Sequence, residues 1–161
     1  MTSDREFEAG WLTRLAAALL GLLMSSPPLY AETPLYDNLG SLHHPITTTS
    51  ALAQRYFDQG LRLVYAFNHE EAIRAFEEAA KQDPNAPMPY WGVGLALGPN
   101  INAAMSKEDE RRAIEAVKQA RNRLAAASPA ERAYIEALTK RYVATRRAAR
   151  ASHDKAYADA M

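Results

Sequence analysis

Four histidines, His43, His44, His69 and His153, are the residues of this chain best suited to chemistry. Imidazole is a common metal ligand, but a site needs three or four donors at defined geometry. His43 and His44 are adjacent, so on a helix or strand their side chains diverge, and only a loop could aim both at one ion. His69 stands beside Asn68, where a turn is expected, and His153 is distant. The chain has no His-x3-His spacing and no Cys, which removes thiolate metal sites, disulfides and cysteine nucleophiles together. His43, His44 and His69 are therefore weak metal candidates. In the simpler alternative His43 packs the N-terminal segment on the first hairpin and His69 caps a turn.

Other catalytic patterns are missing. No Gly-x-Ser-x-Gly is present, and Gly92-Val93-Gly94 and Gly98 sit around a helical stretch rather than after a strand, so no phosphate cradle is implied. Glu70-Glu71, Glu77-Glu78 and Glu108-Asp109-Glu110 read as solvated charges on exposed helical faces, not acid/base pairs. No catalytic residue and no cofactor are expected, so the chain reads as a non-enzyme.

The balance of 19 Lys+Arg against 19 Asp+Glu in 161 residues argues against a strongly basic nucleic-acid binder, and 48% hydrophobic residues suffice for a core. Charge is uneven along the chain: −6 over Glu32 to Glu110 and +7 over Arg111 to Met161. The Arg146-Arg147-Arg150 cluster with Tyr142 could touch phosphate, but interleaved aromatics are sparse and nucleic acid is not the expected partner. The opposed halves suggest attraction between neighbouring repeats, or end-to-end self-association.

Residues 1–31 read as a signal peptide. Arg14 precedes an apolar run, Leu15 to Met24; Ser25-Ser26-Pro27-Pro28 breaks it, and Leu29-Tyr30-Ala31 offers a cleavage point before Glu32. Asp4, Glu6 and Glu8 dilute the positive n-region, and an amphipathic helix packed on the domain is the structural alternative. Ten residues at ~1.5 Å each span roughly half of a ~30 Å hydrocarbon core, so no stable membrane span is expected. Export to the periplasm or beyond follows if the signal is real; otherwise the chain stays in the cytoplasm.

Residues 32–49 read as an extended segment with Pro34, Gly40 and Pro45. Beyond them the pattern is helical. Ser50 can cap a first helix whose apolar face carries Leu52, Tyr56, Leu63, Val64 and Phe67. Asn68 marks the turn, since Asn tolerates a left-handed conformation. Ala72, Ile73, Phe76, Ala79 and Ala80 face a second helix, which Asp83-Pro84 stops.

With Ala53 as its first position, this stretch resembles a tetratricopeptide repeat, a helix–turn–helix unit of about 34 residues. Tyr56, Gly60, Ala72, Phe76, Ala79 and Pro84 carry the resemblance, while Gln59 and Leu63 depart from the usual leucine and tyrosine. A second unit starts at Pro87, with Tyr90, Val93, Gly94 and Leu97, and ends its first helix at Gly98-Pro99-Asn100. Its second helix starts late, at a capping box of Ser106 and Asp109, with Ala113, Val117, Ala120 and Leu124 on its face; the loop between carries an insertion of about seven residues. Ser128 and Glu131 form another capping box, before a face of Tyr134, Ile135, Leu138 and Tyr142. A last helix is expected over Lys155 to Met161, so residues 50–161 read as an all-α tetratricopeptide-type helix-turn-helix solenoid of about two and a half repeats, truncated at its C-terminal end.

Asp37 to His43, Tyr65 to Glu70 and Tyr90-Trp91-Gly92 through Asn102 also look like the N-terminal part of larger exported bacterial tetratricopeptide-repeat proteins of poorly defined function. Some of these have a Cys pair where Ala86 and Pro89 stand here, so a role tied to such a pair is not supported. The resemblance implies a non-catalytic scaffold that binds a peptide or protein partner on its concave face. The positions matching that face are Gln54, Phe57, Leu61, Val64, Met88, Trp91 and Leu95. They could hold an amphipathic or extended peptide; equally, they could pack against Thr33 to Thr49 or against a missing repeat. The other readings are an exported accessory metal-binding protein using the loop histidines, and a truncated fragment without independent activity.

Overall fold

The computed structural model describes residues 33–100, 104–142 and 150–161, all within one unit that runs from Thr33 to Met161. The signal-peptide expectation for 1–31 lies outside the described residues, as do Arg146 and Arg147. The described residues form six helices and no strand: α1 (Ala51–Tyr65), α2 (His69–Gln82), α3 (Pro87–Ala96), α4 (Lys107–Arg121), α5 (Pro129–Arg141) and α6 (Arg150–Ala158). The class is all-α. Each helix packs on its neighbour, and α1, α3 and α5 also touch in succession along one side.

Local chemistry sets the helix starts. The side chains of Ser50, Ser106 and Ser128 each accept a hydrogen bond from the backbone N–H three residues on, satisfying donors that the helix itself leaves unpaired. The capping box is complete at Ser128, where Glu131 returns a bond to the Ser128 N–H. At Ser106 it differs from expectation: the Asp109 carboxylate accepts from the Ser106 hydroxyl at 2.6 Å.

The turn after α1 also differs. Phe67, not Asn68, takes the left-handed conformation (φ 59°). The Phe67 N–H donates to Val64 O and the Asn68 N–H to Leu63 O, the pair of bonds by which a Schellman motif ends a helix. Asn68 is instead the N-cap of α2. The last helix is already formed at Arg150, five residues before the expected Lys155. Its first two turns are anchored: Arg150 donates to Arg141 O and pairs with Glu110, and Asp154 pairs with Arg141 at 3.0 Å.

Burial repeats along the chain. The buried residues of α2 are Ala72, Ala75, Phe76 and Ala79; those of α4 are Ala113, Ala116, Val117 and Ala120, each 41 positions further on. Gly60 and Gly94, 34 positions apart, face the large member of each set: an added Cβ would lie 2.6 Å from the Phe76 ring and 2.8 Å from Val117. The difference of seven is taken up between the helices, where Ala66–Asn68 joins α1 to α2 and Leu97–Ser106 joins α3 to α4. Gly92 closes on the same Phe76 ring, at 2.5 Å from its would-be Cβ. Phe76 is thus clasped between α1 and α3 and has no exposed surface.

Candidate functional site

Polar side chains of α1 hold residues 33–49 by the main chain of that segment. Gln54, Asp58 and Arg62 recur every four residues, so they lie along one stripe of α1. The Gln54 amide accepts from the Ile46 N–H (2.9 Å) and donates to His44 O (2.9 Å). Gln59 repeats this on another stretch, accepting from the Tyr36 N–H (2.8 Å) and donating to Pro34 O (2.9 Å). Each glutamine therefore reads the C=O of one residue and the N–H of the residue two further on. Arg62 holds Leu42 O through Nε and Nη2, and the Tyr56 hydroxyl donates to Thr33 O.

Three carboxylates complete the grip. Asp58, buried, accepts from the His44 N–H at 3.0 Å and lies 2.7 Å from His43 Nδ1. Glu131 of α5, also buried, accepts from both the N–H and the hydroxyl of Thr47 and from the Ser128 N–H. Asp83, after α2, accepts from the Thr48 hydroxyl at 2.6 Å. Buried carboxylates persist only when such partners replace water. At Glu131 burial pushes the carboxyl up, but the Thr47 and Ser128 bonds outweigh it and the net shift is downward. At Asp83 the Thr48 hydroxyl is the main cause of a lowered value.

Residues 44–50 run along the helices with bends at Thr47 and Thr49 and alternate in burial. His44, Ile46, Thr48 and Ser50 are partly covered; Pro45, Thr47 and Thr49 are exposed. This period of two is that of a strand with one face against a surface. The His44 ring sits 6.1 Å from both the Phe57 and Tyr134 rings, and Tyr134 packs on Trp91, whose indole N–H donates to Tyr134 O at 3.1 Å.

Of the seven positions expected to line a groove, Phe57 and Met88 have no exposed surface, Leu61 and Trp91 are also buried, and Gln54, Val64 and Leu95 are half-buried. The segment 33–49 and α5 stand against this side, so the groove is filled as the structure stands. His43 and His44 meet at Asp58, whereas the His69 ring lies against Phe67 in the α1–α2 turn, with both nitrogens buried and unbonded. Among the described residues no group of three or more His, Asp or Glu is placed to hold a metal ion. A recess of about 160 Å³ between Tyr36, Asp37, Arg55 and Arg62 is smaller than the ~300 Å³ at which small-molecule sites begin.

Asp58, Gln59, Arg62, Asp83 and Glu131 were not among the expected site residues. One signal was available: Gln59 stands where the repeat pattern has leucine, and it is 2% exposed. A buried amide at an apolar position needs partners from outside its own helix.

Among the described residues no helix is long and apolar enough to cross a membrane. No family model, curated protein or solved structure matches the chain.

Proposed function

We propose that this chain is a non-catalytic scaffold of tetratricopeptide type, whose inner face, built from α1, α3 and α5, binds an extended polypeptide partner. The observation that carries this reading is the pair Gln54 and Gln59, each bonding the C=O and N–H of an extended chain two residues apart. Such contacts supply affinity without demanding particular side chains, as in other recognition of extended peptides. The repeat assignment draws support from the 34-residue step between Gly60 and Gly94 and from the matching buried sets of α2 and α4. Export is part of the proposal and rests on the order of Arg14, Leu15 to Met24 and Ala31.

The test is a display selection of random linear peptides on the full chain, repeated on Gln54→Ala and Gln59→Ala variants that still melt cooperatively. The reading expects binders whose capture falls with either substitution. Binders indifferent to both, with the fold intact, would place the interaction surface elsewhere and contradict it.

A further inference from the structure

Resting on that reading, we infer that residues 33–49 are the resident occupant of the peptide site, and that the external partner is an extended segment that takes their place. Its inward side chains match His44, Ile46 and Thr48: a flat ring, then a β-branched apolar residue, then a hydroxyl, at alternate positions.

Three features set this segment apart from an ordinary connection. It is held mainly through its own N–H and C=O groups, at Pro34, Tyr36, Leu42, His44, Ile46 and Thr47. Any polypeptide offers the same groups, so the helices' side of these bonds is reusable. The inward residues meet distinct surroundings: the His44 ring lies between Phe57 and Tyr134, and the Thr48 hydroxyl reaches Asp83. Finally, the segment runs from α1 to Glu131 of α5, along the side where α1, α3 and α5 touch. An incoming chain with these features would find every partner in place once the resident one lifts.

Occupancy in cis sets the affinity seen from outside. A site open for only about one part in a hundred binds about 100-fold more weakly than the open site itself. Substitutions that loosen the resident segment and leave the helices untouched should therefore tighten external binding.

The probe is a labelled synthetic peptide with the sequence of residues 42–50, titrated into the full chain by fluorescence anisotropy. The loosened chain carries Ile46→Asp with Thr47→Pro; if it fails to melt cooperatively, Thr47→Val with Thr48→Val, which exchanges two hydroxyls for methyls, replaces it. The inference expects the loosened chain to bind about tenfold or more tightly than the unaltered chain, and expects this gain to vanish when Gln54→Ala is added. Equal, Gln54-dependent binding to both chains overturns the inference, since the resident segment then excludes nothing, while the scaffold reading stands. Absence of binding to a folded, loosened chain also overturns it, and the display selection then decides the scaffold reading alone.

Discussion

Glu131 and Thr47 are joined by two hydrogen bonds across 84 residues of sequence: the Thr47 N–H reaches Oε1 at 2.7 Å and its hydroxyl reaches Oε2 at 2.6 Å. The same carboxylate closes the capping box of α5 through the Ser128 N–H. One side chain thus ends the extended segment and starts a helix. Glu131→Ala removes hydrogen bonds to a charged acceptor, of the kind worth about 1.5–3 kcal/mol. Urea unfolding should show a loss of that size, with Glu131→Gln losing less because its carbonyl still accepts.

Phe76 is gripped from two sides, by Gly60 and Gly92. A methyl at either position falls inside the contact distance of a ring that has no exposed surface to move into. Gly60→Ala should therefore destabilise the fold by about 1–3 kcal/mol, as over-packing does. Thermal melts of Gly60→Ala with and without Phe76→Leu check the cause: the smaller side chain should recover part of the loss caused by the added methyl.

Acid should loosen the segment before it dissolves the helices. Asp83 and Glu131 both have lowered values in the folded chain. A group depressed on folding stabilises the native state above its unfolded value, and that contribution disappears as pH falls through the folded one. Stability should thus be level above about pH 5 and decline below the ordinary values of 4.5 for Glu and 3.8 for Asp. Glu78, lowered by the Lys81 and Gln82 hydrogen bonds, adds to the decline. Melting temperatures from pH 7 to pH 3 should fall less steeply in Glu131→Gln than in the unaltered chain.

Trp91 supplies packing and one hydrogen bond, and the two can be separated. Trp91→Phe keeps a ring beside Tyr134 but removes the bond to its carbonyl, a change worth about 1 kcal/mol plus the smaller ring volume. Trp91→Ala opens the centre of the α3–α5 contact and should cost about 3–5 kcal/mol. Chemical denaturation of both variants measures the difference.

Much of the helical layout was legible because its signals are local. Ser50, Ser106 and Ser128 announce helix starts within four residues, Pro84 and Pro99 stop chains that cannot continue, and the alanines of α2 and α4 mark close packing at helical spacing. The α1–α2 turn was misread by one residue because hydrogen bonds from Phe67 and Asn68 to Val64 and Leu63 impose a left-handed conformation on an aromatic residue, against the usual preference for Gly or Asn. The helical state of Arg150 to Asp154 was missed because these two residues are fixed by Glu110 and Arg141, which lie far off in sequence or in the preceding helix. The site was the least legible part. Its contacts join side chains to the main chain of a segment 8 to 84 residues away, and no periodicity in an extended stretch foretells which helix it will lie on. Gln54 entered through the repeat pattern, Glu131 only as the cap partner of Ser128 and Gln59 only as a departure from leucine, while Asp58 reads as an ordinary polar position until its burial is known.

Hydrogen exchange of the backbone amides of residues 33–49 in the full chain, read residue by residue by NMR, tests most directly whether the inner face holds an extended polypeptide. The N–H groups of Tyr36, His44, Ile46 and Thr47 bond Gln59, Asp58, Gln54 and Glu131, so the account predicts slowed exchange at these four, with Gln54→Ala accelerating Ile46 selectively while the amides of α2 and α4 stay protected. Uniformly fast exchange over 33–49, with the helices fully protected, would contradict it.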